Sequence, residues 1–303
     1  MSRVDELIAE LCPDGVEFRT LGDVLRIKNG KDHKALGDGS IPVYGSGGVM
    51  RYVDTAAAVG PSVLIPRKGS LGNLFYVEGP FWVVDTIFRT ELDASIVEPK
   101  FVYYQLLTMG LGEMNQAGGV PSQTQSVLNL LRVAVPPLEV QREIVRILDQ
   151  FTELEAELEA ELEARRHQYQ HYRNLLLDFP VETERVSVAE LIEGIASGRN
   201  KDRSHCGAFP VYGSTGQIGC TDTPAYSKDA ILVARVGANC GRVNTVTGEY
   251  DVSDNTLILV PNVDWDLRFA FHQLTHVNLN QYAVGGGQPL LTGRLIRGLE
   301  LAK

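Results

Sequence analysis

The chain is short of cysteine, of long apolar runs and of positive charge. Only four of its 303 residues are cysteine, at 12, 206, 220 and 240, and no two form C-x-x-C. That spacing supports neither a disulfide framework nor a zinc site, so reduced thiols are expected. No apolar run approaches the roughly 18 residues of a membrane span. The stretch Met1 to Glu10 mixes acids with its apolar residues, where a signal peptide needs an unbroken apolar region. The expected compartment is the cytoplasm, with no membrane partner. Catalytic signatures are missing too. There is no G-x-x-x-x-G-K-[ST] phosphate loop. There is no N-P-P-Y or D-P-P-Y adenine-methyltransferase motif, since Val135-Pro136-Pro137-Leu138 lacks both flanking residues. His167 and His171, like His272 and His276, stand four apart, but no carboxylate completes an H-E-x-x-H pattern. A chain that is not an enzyme, and that holds no metal or cofactor of its own, is expected.

Charge argues first against a nucleic-acid partner. The net charge is −10, and neutralising phosphates needs Lys and Arg. The excess acid is local, however. Residues 1–136 carry 12 basic and 15 acidic residues, and residues 181–303 carry 11 and 13. The 44 residues between them carry 5 and 10, with the acids crowded into Glu153 to Glu163. The flanking regions can each present a basic face, and the Glu-rich run reads as a solvated helix face.

What the chain does have is a repeat. Ile41-Pro42-Val43-Tyr44-Gly45-Ser46-Gly47-Gly48 returns 168 residues later as Phe209-Pro210-Val211-Tyr212-Gly213-Ser214-Thr215-Gly216. Val63 to Gly69 returns as Ile231 to Gly237, and Phe101, Gln105 and Leu106 as Phe269, Gln273 and Leu274. Gly79 and Asp85 match Gly248 and Asp254, one residue out of phase, and Gly118-Gly119 match Gly285-Gly286. A period this long means two copies of a whole domain. In each copy, β-branched runs (Ser62 to Pro66, Ala230 to Ala234) predict strands. Gly-rich turns at Tyr44–Gly48, Gly69–Gly72 and Gly237–Gly241 punctuate them and call for positive φ. One amphipathic helix follows, over 100–111 and 267–277. Tyr44 and Tyr212 are expected in the core.

The segment between the copies reads differently. Gln141 to Leu177 contains no Gly or Pro, and Pro180 follows. Ile144, Leu148, Phe151, Leu158, Leu162, Tyr169, Tyr172 and Leu176 fall at spacings of three and four, with Glu155 and Arg165 in the two missing slots. This is a coiled-coil seam, on a helix of roughly 55–60 Å. Ile147 and Leu154 widen the stripe, which needs a partner to bury it. The organisation expected is α+β: one mixed domain over 1–136, a long helix over 137–180 and a second, related domain over 181–303.

At this point the chain resembles the specificity subunits of type I restriction–modification systems. The resemblance is carried by the strand Val133-Ala134-Val135 followed by Pro136-Pro137-Leu138-Glu139-Val140-Gln141-Arg142-Glu143-Ile144. Also similar are the loop Gly118 to Gln123, the P-V-Y-G-S-x-G segment and the R-x-G segment, in family order and duplicated around one helix. It implies two target-recognition domains that bind double-stranded DNA with a bipartite sequence, and a helix that sets the unread gap. It implies partner methyltransferase subunits carrying S-adenosylmethionine, and restriction subunits acting as motor and nuclease. The second copy reaches Leu299-Glu300-Leu301-Ala302-Lys303, the strand before the proline pair, so the family's second long helix is not in this sequence. Either the gene is truncated or the remainder is supplied elsewhere, for instance by a second specificity chain. A truncated chain that pairs with other specificity chains to alter target choice is the alternative function.

Candidate DNA contacts follow from residue chemistry. Bases are read by Arg, Lys, Asn, Gln or Ser on loops and helices, and phosphates by Lys and Arg beside turns. In the first copy these are Lys28, Lys31, Lys34, Ser46, Arg51, Arg67, Lys68, Asn73 and Gln123. In the second they are Arg199, Lys201, Arg203, Ser214, Arg235, Asn239, Arg242 and Gln288.

Overall fold

The computed structural model describes residues 2–114, 119–200, 207–285 and 287–302. Its contacts divide the chain into two compact units, Met1–Glu159 and Ala160–Lys303, with the division inside the long helix. Among the described residues no helix is long and apolar enough to cross a membrane.

In the first unit, α1 (Arg3–Leu11) leads to β1 (Phe18–Thr20), α2 (Leu21–Val24) and β2 (Leu25–Asn29). Two hairpin-rich stretches follow: β3 (Asp38–Gly45), β4 (Gly48–Val53) and β5 (Ala58–Val59), then β6 (Ser62–Pro66), β7 (Phe75–Val77), β8 (Pro80–Val83) and β9 (Ile87–Leu92). Next come α3 (Pro99–Thr108), α4 (Gln125–Asn129), β10 (Arg132–Ala134) and the start of α5 (Leu138–Leu177). The strands form a β2-β9-β6-β7 sheet, a β4-β3-β8-β5 sheet and a β1-β10 pair.

The second unit repeats this order. It holds β11 (Arg185–Ser187), α6 (Val188–Leu191), β12 (Ile192–Ser197), β13 (Phe209–Gly213), β14 (Gly216–Thr221) and β15 (Ala230–Ala234). Then follow β16 (Val243–Val246), β17 (Asp251–Val252), β18 (Thr256–Pro261), α7 (Leu267–His276), α8 (Gly293–Arg297) and β19 (Glu300–Ala302). Its sheets are β12-β18-β15-β16, β14-β13-β17 and β11-β19. The mixed α and β class expected from the sequence is what the fold contains.

Why β6 and β15 read as unbroken apolar runs is now plain. Side chains alternate across a strand, and both faces of these strands are covered. Val63 and Ile65 enter the core beneath α3, while Leu64 enters the core formed with Phe81 and Val83. Ile231 and Val233, against Leu232, do the same in the second unit. Tyr44 packs with Leu64 and Val77, 5.6 Å from Phe75, and Tyr212 packs 6.3 Å from Tyr250. The short helices α2 and α6 start on capping boxes, Thr20 with Asp23 and Ser187 with Glu190. The repeated glutamines anchor the last strand of each domain. Gln105 Nε2 donates to Ala134 O at 2.8 Å, and Gln273 Nε2 to Ala302 O at 2.8 Å.

The helix α5 begins at Leu138, one residue inside the span expected over 137–180, and its first turn forms where the Val140 and Gln141 N–H groups bond to Pro137 O. Buried Gln141 ties the junction: its Nε2 donates to Pro136 O and Ile96 O, and its Oε1 accepts from Glu98 N at 2.7 Å. Further along, the Asp149 carboxylate accepts from Lys100 Nζ at 2.8 Å and Tyr104 Oη at 2.6 Å. Burial pushes its pKa up, but these two bonds outweigh burial and hold it below the ordinary value. The expected seam is half-covered at Ile144 and Leu148 and exposed at Phe151, Leu158, Leu162, Tyr169, Tyr172 and Leu176. Within this chain it is an open stripe, not a closed coiled coil.

Candidate nucleic-acid interface

Four turns meet at one end of the first unit. Arg67 and Lys68 N–H groups both bond to Thr86 O, at 2.8 and 3.2 Å. Ser46 N bonds to Thr86 Oγ1 at 3.3 Å, and Asn73 Nδ2 donates to Ser46 O at 3.2 Å. Gly69 N bonds to Pro121 O, and Gln123 N to Arg67 O. Gly69 sits at φ +82°, where a side chain is strained, so the turn requires glycine. The second unit builds the same node. Arg235 N bonds to Asn255 O, Gly237 N to Pro289 O and Leu291 N to Arg235 O.

Not every candidate side chain is available there. Lys31, Lys34, Lys68 and Asn73 are exposed around this end, as is Lys28, which shares Glu91 with Arg89. Ser46 is half-buried in its turn. Arg67 lies 5.8 Å above the Phe88 ring. Arg51 is occupied, bonded to Asp38 at 2.9 Å and to Leu36 O at 3.2 Å, which ties the β3–β4 hairpin. Gln123 must be withdrawn as a base reader. It is 2% exposed, and its Nε2 donates to Pro66 O at 2.6 Å.

In the second unit Arg199, Arg242 and Gln288 are exposed, Ser214 and Asn239 are half-buried, and Arg235 Nη1 donates to Ser197 Oγ at 3.1 Å. Lys201 and Arg203 lie outside the described residues. Gln288 is not the second-copy counterpart of Gln123, although both are candidate base readers. The hydrogen bonds equate Pro121 with Pro289 and Gln123 with Leu291, which makes Gln288 the counterpart of Val120.

One amide pair escapes sequence reasoning. Gln125 Nε2 donates to Asn29 Oδ1 at 3.2 Å, joining the end of β2 to the start of α4 across 96 residues. No local pattern announces such a contact. Among the described residues no three His, Cys, Asp or Glu side chains converge as metal ligands. The site offers cations, amides and turn N–H groups, which can hold phosphates and hydrogen-bond to base edges.

Comparison with known proteins agrees in kind. Residues 13–164, half of the chain, match the type I restriction modification DNA specificity domain. The EcoprrI specificity subunit of Escherichia coli is 38% identical over 183 residues, 54% of this chain and 44% of that subunit. The chain thus spans about half the length of the first relatives it matches. In fold it is similar to the S subunit of a type I system from M. genitalium, with TM-score 0.70 at 17% identity, covering 95% of this chain and 84% of that one. A second solved chain, from work on complex assembly of the type I R-M system, gives TM-score 0.59 at 15% identity, over 95% and 86%. The chain belongs to the type I restriction–modification DNA specificity family.

Proposed function

We propose that this chain is the DNA-recognition subunit of a type I restriction–modification complex and carries no catalytic site of its own. Each domain reads one half of a bipartite duplex target, and α5 sets the gap. Partner methyltransferase subunits, holding S-adenosylmethionine, methylate an adenine in each half after flipping it out. Restriction subunits join the same complex. The observation that carries this reading is the duplication: one turn-built node, hung on the same backbone bonds, occurs in both domains on either side of one 40-residue helix. Cations and amides at each node supply phosphate and base contacts. The near-balanced charge of the domains lets those contacts act locally despite the overall −10.

Co-expression with a type I methyltransferase subunit, followed by methylome sequencing, tests the reading. N6-methyladenine at one split motif is expected. A stable complex that leaves the DNA unmethylated sinks it. The open stripe on α5 supports a second reading, in which this chain pairs with another specificity chain and alters target choice. Light scattering of the chain mixed with a full-length specificity subunit checks this, and no hetero-complex would exclude it.

A further inference from the structure

We infer that Asn29 and Gln125 together read one adenine in the first domain's half of the target, an inference that rests on the DNA-recognition reading above. Leu25, Ile27 and Asn29 share one face of β2. The first two are buried, and Asn29 is exposed where the core ends. Gln125 is brought there by α4, whose Leu128 is buried in the same core as Ile27. Their single bond, Gln125 Nε2 to Asn29 Oδ1 at 3.2 Å, leaves a free N–H donor on Asn29 and a free acceptor on Gln125. If both amides are turned over, one donor and one acceptor still remain side by side. Adenine presents the complement in the major groove, the N7 acceptor beside the N6 donor. Guanine presents two acceptors, and one would face the free oxygen.

The second domain supplies the contrast. Asn29 lies opposite Phe88 and Ser197 opposite Leu257, while Ile65 and Val233 face those same partners from the other side. Asn29 and Ser197 are therefore equivalent. Thr124 and Thr292 cap the equivalent helices α4 and α8, which makes Gly293 the counterpart of Gln125. So the second domain has no amide at either place, and Ser197 accepts from Arg235 instead. The contact that anchors the last strand recurs between the copies, through Gln105 in one and Gln273 in the other. The Asn29–Gln125 contact does not, as expected of a contact that reads a base differing between two half-sites.

The test is selection by the full chain from a randomised duplex library at fixed salt, with the variants Gln125→Ala, Asn29→Ser and Gln125→Glu. Wild type should select a split motif with an adenine in one half. Gln125→Ala and Asn29→Ser should lose discrimination at that base pair alone, about ten- to hundredfold. The second half-site should stay intact. Gln125→Glu, an acceptor only, should exchange adenine for cytosine there. Should Gln125→Ala fail to fold, Asn29→Ser carries the residue that the second domain already holds at this place. An unchanged motif, or a loss spread evenly over all positions, overturns the inference and makes the pair a fold tie or a backbone contact. A wild-type chain that selects no sequence overturns the DNA-recognition reading itself, and this one with it.

Discussion

At Gly241 a single hydrogen atom in place of a side chain decides whether the second node can form. Its φ is +88°, and a Cβ there would meet Asn280 N at 2.4 Å and Asn280 Cα at 2.9 Å. Those are backbone atoms, so no rotamer change relieves the clash. Asn280 Nδ2 meanwhile donates to Cys240 O at 2.7 Å, fixing the same segment. Left-handed strain alone costs about 1–3 kcal/mol, and the clash adds to it. Gly241→Ala should lower the thermal midpoint of the second unit by several degrees and leave that of the first unit in place. An unaltered melt would refute this account. Gly237, at φ +74° with nothing within 4 Å of its Cβ position, should tolerate the same change at the cost of the strain alone.

Among the elements, α5 carries two separable properties. Its beginning is fixed to the first unit by Gln141 and by the Asp149–Lys100–Tyr104 cluster. The folded Asp149 pKa is depressed, so its contribution is present above the unfolded value of about 3.9 and is lost as pH falls through the folded value. About a third of each charged side chain stays in water, so solvent screening discounts the ion pair to roughly 1 kcal/mol. Asp149→Asn should therefore destabilise the first unit by about that much at pH 7. The gap to wild type should narrow in melts as pH falls below the ordinary carboxylate range; an equal gap at every pH would contradict the assignment. The stripe further along behaves differently. Leu158 and Leu162 are 58% and 52% exposed within the chain. Leu158→Asp should leave the melt of the isolated chain within about 0.5 kcal/mol and yet abolish assembly with a partner subunit, because the charge would then be buried unpaired. Assembly by light scattering that matches wild type would remove the stripe from any interface.

The elements were also the most legible feature of the sequence. The runs Ser62–Pro66 and Ala230–Ala234 are β6 and β15, and the helices expected over 100–111 and 267–277 are Pro99–Thr108 and Leu267–His276. Continuous apolar runs and 3.6-residue periodicity report burial directly. Register was less legible. Gly285, Gly286 and Gly287 give two equal choices for matching Gly118-Gly119, and the sequence match takes an offset of 167. The backbone bonds of Pro289 and Leu291 fix the offset at 168. At that offset the counterpart of Gln123 is Leu291, and Gln288, only 165 residues on, stands opposite Val120. The partners of Arg51 and Arg235, and the Asn29–Gln125 pair, depend on which loops fold against each other, information that no local spacing holds.

For the whole molecule, the question is how a chain of net charge −10 holds a polyanion. The acids of Glu153 to Glu163 lie exposed along α5, while Lys31, Lys34 and Lys68 stand exposed in a domain of 12 basic and 15 acidic residues. Screening limits the reach of exposed charges to about 8–10 Å at ordinary ionic strength. The helix acids should then affect the net charge and not the local contacts. Binding of duplex DNA should weaken steeply with salt, by a slope near −0.9 per phosphate held. Lys68→Ala should make that slope shallower by about one and weaken all sequences alike. Exchanging Glu157 and Glu161 for Gln removes two negative charges and should leave the slope where it was. If instead the glutamine exchange shifts the slope as much as Lys68→Ala does, the whole-chain field governs binding. The local basic node would then lose its place as the phosphate-holding surface.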